Sequence, residues 1–204
     1  MSLYQYPLNL RFKLIALAPR ITVTDASGRQ VAYVHQKLWN LKEDVRIYTD
    51  EQKSREVFRI NADRIIDVRA KYHFTDSATG QPLGYVQPRA LMTIWRATYH
   101  IYDANGTVTH HIREDNPWVK VLDTLFQEIP FVGMFAGYLL HPSFTVYRGS
   151  EPEDLSMPVL NLKKEPAFFE GVFTLDRLGE MSPQDEQRAL LATMLMIQFM
   201  RRRG

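Results

Sequence analysis

The sequence predicts an all-β protein with helices: a closed antiparallel β-barrel of about twelve strands around a central hydrophobic C-terminal helix. Two observations lead to this fold class. Residues 20–115 contain short alternating segments, with turn-like breaks every ~10–16 residues, as in sandwiches and barrels. Residues 183–200 form a predicted helix that is apolar on all sides, and such a helix must be enclosed.

Strict alternation of apolar and polar residues identifies the strands. In Asp63–Thr75, Ala70, Tyr72 and Phe74 share one parity, whereas charged residues occupy the other, as expected for a half-buried strand. Leu91–Asp103 repeats this pattern. The other predicted strands are a first strand around Leu14–Ala18, then Gln30–Trp39, Asp44–Thr49, Phe144–Arg148, Met157–Lys164 and Phe168–Leu178.

Turn residues separate these segments. Asn105-Gly106 predicts a two-residue hairpin, since both residues tolerate a positive φ. Asp25 to Gly28 and Asp76 to Gly80 each end in a glycine suited to a left-handed position.

The two remaining parts are helical or apolar. Residues 116–142 are predicted to form an insert in which a helix at Pro117–Gln127 precedes an apolar run. The last helix begins with Ser182 as N-cap and Pro183 at its first position. Its apolar stretch is too short to span a bilayer, so a sheet closed around it provides the enclosure.

Composition and motifs exclude several functions. The 204 residues carry a net charge of only +2, so nucleic acid is not an expected partner. Cysteine is absent, which excludes disulfides and thiolate chemistry. His110 and His111 are adjacent on a predicted strand, point to opposite faces and cannot chelate one ion. We found no catalytic, nucleotide-binding or metal motif, so we expect no enzyme activity, cofactor or metal.

Two segments resemble a known family. The stretch YVHQKLWNLKEDVRIY (Tyr33–Tyr48) is similar to the strand-turn-strand signature of the LURP-one-related proteins, and KKEPAFFEGVF (Lys163–Phe173) looks similar too. This family belongs to the tubby C-terminal-like superfamily, together with the phospholipid scramblases. The resemblance implies a single domain over residues 1–204 with a twelve-stranded barrel. It also implies binding of anionic headgroups through basic residues, at a cytoplasmic location that is peripheral to a membrane.

Six cations on or near predicted strands are candidates for holding an anionic headgroup, because cations spaced two apart can bind a phosphate. Arg69 and Lys71 share one predicted strand face, and the full set is Lys37, Lys42, Arg69, Lys71, Arg89 and Arg96. The alternative is a solvated barrel exterior with acidic neighbours such as Asp67.

An uncharged run, Ile129–Leu140, supplies a second candidate. It contains Gly133 and Gly137 in a helix-packing pattern, and its docking candidates are Phe131, Met134, Phe135 and Tyr138. The run could enter a bilayer or dock a protein partner or a second copy. Alternatively, it could close one mouth of the barrel or pack against the barrel wall, where the glycines would permit a close approach. Two functions therefore remain open: a module that binds anionic phospholipid, or a scaffold that binds protein and no lipid.

Overall fold

A computed structural model describes residues 2–13, 20–36, 44–64, 70–89, 98–115, 143–167 and 170–202. These contain twelve strands and one helix. The strands are β1 (Leu8–Lys13), β2 (Arg20–Thr24), β3 (Gln30–Gln36), β4 (Asp44–Tyr48), β5 (Glu56–Ala62), β6 (Tyr72–Asp76), β7 (Pro82–Pro88), β8 (Thr98–Tyr102), β9 (Val108–Glu114), β10 (Ser143–Arg148), β11 (Pro158–Glu165) and β12 (Glu170–Arg177), and the helix is α1 (Pro183–Arg202).

The strands form one closed antiparallel barrel. Each strand pairs with the next in sequence, and β1 closes the ring by pairing with β12. Leu10, for example, is opposite Val23 of β2 on one side and Phe173 of β12 on the other. The predicted fold class is therefore confirmed, and closure leaves no sheet edge among the described strands.

The helix fills the barrel. All side chains from Ala189 to Gln198 are buried, including Thr193 and Gln198, which interrupt the apolar sequence. Inward residues of the strands pack around the helix, among them Leu8, Ile47, Phe74, Ile112, Leu160 and Leu175. The predicted core helix over 183–200 is confirmed and extends two residues further, to Arg202.

Polar contacts fix the start of α1. The hydroxyl of Ser182 accepts a hydrogen bond from the Asp185 backbone N–H at 3.1 Å, as predicted for an N-cap. Arg188 then donates to the Asp185 carboxylate at 2.6 Å and to the Leu83 carbonyl oxygen at 3.2 Å. These bonds connect the first turns of the helix to β7.

The N-terminal segment, residues 2–7, closes over the same helix start. The Glu186 carboxylate is fully buried, and it accepts hydrogen bonds from the Ser2 hydroxyl at 2.5 Å and the Leu3 backbone N–H at 2.8 Å. Arg177 of β12 lies 3.9 Å from this carboxylate. A buried charge needs such partners, so the segment and the helix start depend on each other.

The tight turns use aspartate. Asp103 accepts hydrogen bonds from the backbone N–H groups of Asn105 and Thr107, at 3.0 and 2.8 Å. Gly106 has a φ of 82°, whereas Asn105 does not have a positive φ. The predicted hairpin is confirmed, since β8 and β9 pair across it. Its predicted length of two residues was wrong, because the aspartate carboxylate organises a wider loop over residues 103–107.

Two predicted strands are described only in part. Within Asp63–Thr75, the described residues from Tyr72 onward belong to β6, and within Leu91–Asp103, Thr98–Tyr102 form β8. Residues 65–69 and 90–97 lie outside the described residues. The first strand is Leu8–Lys13, upstream of the predicted run Leu14–Ala18, which also lies outside them. Alternation of apolar and polar residues identifies which side chains of a strand point inward, but it does not show at which residue the strand ends.

Candidate binding surface

The barrel interior offers no room for a ligand along the described strands, because α1 occupies it. The side chains of Leu191, Met194 and Leu195 are each only 1% exposed among the inward residues of the strands. Any ligand of this part of the molecule must therefore bind at the ends or on the outer face.

The two ends of the barrel differ. Because consecutive strands are antiparallel neighbours, every odd-numbered strand finishes at one end, which we call the distal end. The opposite, proximal end holds residues 2–7 and the start of α1 at Pro183. The helix runs from the proximal end into the barrel.

All ten candidate side chains fall in connections whose flanking strand ends lie at the distal end. Lys37 and Lys42 separate β3 from β4, Arg69 and Lys71 separate β5 from β6, and Arg89 and Arg96 separate β7 from β8. The apolar candidates, which are Phe131, Met134, Phe135 and Tyr138, fall between β9 and β10. Of these ten residues only Lys71 and Arg89 are described; the other eight lie outside the described residues.

The sequence predicted that Lys71 lies in a strand, but Lys71 lies directly before β6. Its backbone N–H donates to the Asp63 carboxylate at 2.9 Å, and its carbonyl oxygen accepts from the Asp63 N–H at 3.0 Å. Arg89 directly follows β7, where its backbone N–H donates to the Thr98 carbonyl oxygen at 3.0 Å. Both cations are thus held by backbone hydrogen bonds at the distal ends of neighbouring hairpins.

An aromatic strip runs beside these cations on the outer face of β6, β7 and β8. It consists of His73, Tyr85, Tyr102 and His100. The rings of Tyr85 and Tyr102 stack with centroids 4.3 Å apart, and His73 lies 5.3 Å from Tyr85. The Lys71 ammonium nitrogen lies 5.0 Å from the centre of the Tyr85 ring, within cation–π range.

Electrostatic effects connect both cations to this strip. Burial raises the pKa of the Tyr102 hydroxyl, Tyr85 adds to the rise, and Lys71 and Arg89 both oppose it. Burial also lowers the pKa of His100, and the positive charge of Arg89 lowers it further. Lys71 directly precedes β6 and Arg89 directly follows β7, and these strands are neighbours, so both cations lie on one side of the barrel.

The two adjacent histidines are both buried, on opposite faces of β9. His110 points inward, 3.7 Å from the Asp185 carboxylate, whereas His111 stacks on Tyr147 outside and bonds to the Gly149 carbonyl oxygen at 3.1 Å. The expectation of opposite faces is confirmed. Within the described ranges, no three His, Asp or Glu residues are placed to hold a metal ion.

The sequence reasoning missed the aromatic strip. Its signal was present, because His73 and Tyr85 each stand between two inward residues of a strand. What the sequence does not show is the register that places Tyr85 opposite both His73 and Tyr102.

The described architecture is a twelve-stranded antiparallel barrel that encloses its own C-terminal helix, which is the fold implied by the resemblance in the sequence. The comparison with protein families agrees. The model of the LURP-one-related family matches residues 30–121, from the start of β3 to beyond the end of β9. The predicted resemblance to this family is therefore confirmed over that part of the chain.

No curated protein and no solved structure matched the chain. Along the described ranges, no helix has the length and apolarity needed to cross a membrane.

Proposed function

We propose that this protein is a non-enzymatic binding module that holds anionic phospholipid headgroups at the distal end of its barrel, peripheral to a membrane. The observation that supports the proposal is the strand topology. The six cations chosen from the sequence, of which Lys71 and Arg89 are described, belong to three connections whose flanking strand ends lie at this end.

The described cations have the chemistry that a phosphate requires. The Lys71 ammonium group lies over Tyr85 of the stacked pair Tyr85 and Tyr102, and Arg89 follows the strand that carries Tyr85. Each Lys or Arg near an anionic leaflet contributes roughly 1 kcal/mol to binding, and several on one end add to a usable affinity.

The apolar candidates support a membrane rather than a free anion. The uncharged run that contains Phe131 and Phe135 belongs in sequence to the connection between β9 and β10, and the strand ends that flank this connection lie at the distal end. Cations beside an apolar segment match the headgroup and acyl boundary of a bilayer, where charge attraction and apolar burial act together.

The filled interior supports a binding role. An enzyme of this size usually encloses its substrate in a cleft or cavity. Here the helix occupies the barrel interior, so the described residues offer exterior surfaces suited to recognition.

Vesicle co-sedimentation tests the proposal. We expect the protein to sediment with vesicles that contain phosphatidylserine or a phosphoinositide, but not with phosphatidylcholine alone, and high salt should release it. A soluble inositol phosphate distinguishes the two sources of phosphate. If it binds as tightly as the vesicles do, the ligand is a free anion and the membrane part of the proposal is wrong.

Charge reversal locates the site. Lys71→Glu and Arg89→Glu should each weaken vesicle binding several-fold, whereas Arg55→Glu, the same change in the exposed proximal turn before β5, should not. Equal effects of all three would indicate a general charge effect and contradict a distal site.

The protein-binding alternative predicts a different result. In that case vesicles would not bind the protein at any salt concentration. A salt-tolerant association would instead be lost in a variant with Phe131→Ser and Phe135→Ser, because apolar contacts are weakly screened.

A further inference from the structure

A second surface, at the proximal end, combines exposed apolar side chains with exposed carboxylates. Four large apolar side chains at this end are about half exposed: Leu3 at 45%, Leu155 at 44%, Met157 at 54% and Leu178 at 54%. Leu155 and Met157 belong to the connection between β10 and β11, and Leu178 follows β12. We call these three residues the Met157 surface.

Backbone hydrogen bonds bring the two segments together. The Met157 carbonyl oxygen accepts from the Arg148 N–H at 2.9 Å, which fixes Met157 at the end of the β10–β11 connection. The Leu178 N–H donates to the Val159 carbonyl oxygen, also at 2.9 Å. Since β11 and β12 are neighbours, Met157 and Leu178 flank the same end of one strand pair.

Exposed carboxylates belong to the same two segments of the chain. Glu151, Glu153 and Asp154 are exposed in the β10–β11 connection, and the side chain of Glu180 is 92% exposed beside Leu178. Among the described residues, the first three carboxylates have no ion pair. Arg113 of β9 donates to the Pro152 carbonyl oxygen at 2.9 Å, in the segment between Glu151 and Glu153. Arg148 donates to the carbonyl oxygen of Glu180, and Arg177 lies 3.0 Å from its carboxylate.

We propose that the Met157 surface binds a basic amphipathic helix of a partner protein. Charge complementarity selects this occupant, because lysine or arginine side chains would pair with the exposed carboxylates of the same segments while leucine-like side chains cover the three apolar residues. The same carboxylates disfavour an anionic membrane. The closed barrel offers no strand edge here, so a partner must dock through its side chains, as an amphipathic helix does.

This interaction does not depend on the proposed lipid site. The Met157 surface lies at the proximal end, whereas Lys71 and Arg89 lie at the distal ends of their hairpins. A protein bound to a membrane by its distal end would therefore present the Met157 surface away from the bilayer.

Fluorescence anisotropy with two designed peptides tests the proposal on the full chain. One peptide has leucine and lysine at amphipathic helical spacing, and the other replaces each lysine with glutamate. We expect the lysine peptide to bind and the glutamate peptide not to bind. Equal binding of both, or of neither, would overturn the proposal.

Variants assign the binding to these residues. A triple variant, Leu155→Ser with Met157→Ser and Leu178→Ser, should weaken binding by about tenfold or more. Glu153→Lys should weaken it too, whereas Glu51→Lys, in a different proximal turn, should not. The thermal melting temperature should change little, because the three apolar side chains are already about half exposed.

Sedimentation velocity tests whether a second copy of the chain, rather than a basic helix, binds the Met157 surface. If the wild-type chain self-associates and the triple variant does not, the Met157 surface binds a second copy and the basic-helix proposal is wrong. If the lysine peptide binds the triple variant as tightly as wild type, its site lies elsewhere and the proposal is also wrong.

Discussion

The inward histidine of β9 makes a sharp prediction about stability and acidity. His110 is 2% exposed inside the barrel, and burial lowers its pKa from the usual 6.5 to about 4. The Asp185 carboxylate opposes this shift, while Arg148, Arg188 and His111 reinforce it. The folded protein therefore keeps His110 neutral in mildly acidic solution.

The magnitude follows from proton linkage. Between pH 6.5 and 4 the unfolded chain binds a proton at His110 that the folded chain does not, so the free energy of unfolding falls as the pH falls. At about pH 5 the difference of one and a half pH units costs about 2 kcal/mol, since each unit is worth about 1.4 kcal/mol. Stability is fully retained above the unfolded pKa.

Urea unfolding at three pH values measures this effect. Wild type should lose at least about 2 kcal/mol between about pH 8 and 5, because His100 and His111 have pKa values shifted in the same direction. His110→Gln removes one of these proton sites and should reduce the loss by about 2 kcal/mol. His73→Gln is the matched control, because His73 is exposed on β6.

The outcome is not confounded by carboxylates. Aspartates with lowered pKa values, such as Asp76 and Asp185, lose their stabilising effect only as the pH falls below their usual range near 3.8. If His110→Gln and wild type lose the same stability between about pH 8 and 5, His110 is not held neutral, and the reasoning from burial fails.

Four further changes test the fold. Gly84→Ala should lower the free energy of unfolding by more than about 3 kcal/mol, because Gly84 has a φ of 136° and a Cβ there would lie 2.1 Å from the Tyr102 carbonyl oxygen. Gly28→Ala is the control: a Cβ there would have no atom within 4 Å, so the loss should be about 1 kcal/mol. Similar urea midpoints for the two variants would contradict this reasoning. Glu186→Gln should destabilise by about 1–3 kcal/mol and speed hydrogen exchange in the N-terminal segment; unchanged exchange would show that this segment is held otherwise. Burial raises the pKa of Tyr4 to about 12, so stability should fall as the pH rises above about 10, and Tyr4→Phe should lessen that fall in alkaline melts. Deletion of residues 183–204 should abolish cooperative melting, since it empties the barrel.

The fold was predictable because its main signals are local. Alternation placed Ala70, Tyr72 and Phe74 on one face, and all three are at most 8% exposed. The all-round apolarity of residues 189–198 required an enclosure, and the barrel provides it. Both inferences use a period within one element, which the chain carries without knowledge of its neighbours.

Burial and strand ends were less predictable because they depend on distant residues. His111 stands at an outward position of β9, where alternation predicts exposure, yet the stacked ring of Tyr147 and the Gly149 carbonyl group cover it. Likewise Asn161 faces outward on β11 but is only 7% exposed and donates to the Thr145 hydroxyl at 2.7 Å. Periodicity alone cannot show which outer faces are covered.

The candidate site shows a third case, in which topology supplies what periodicity lacks. Each cation was found on its own, and nothing local joins Lys71 to Arg89. In an antiparallel barrel whose neighbouring strands are consecutive, however, alternate connections must share one end. Once β5–β6 and β7–β8 are known to be neighbouring hairpins, the two cations converge without further information. A chain of this topology can therefore divide its functions between two ends by placing cations in one set of connections and carboxylates in the other.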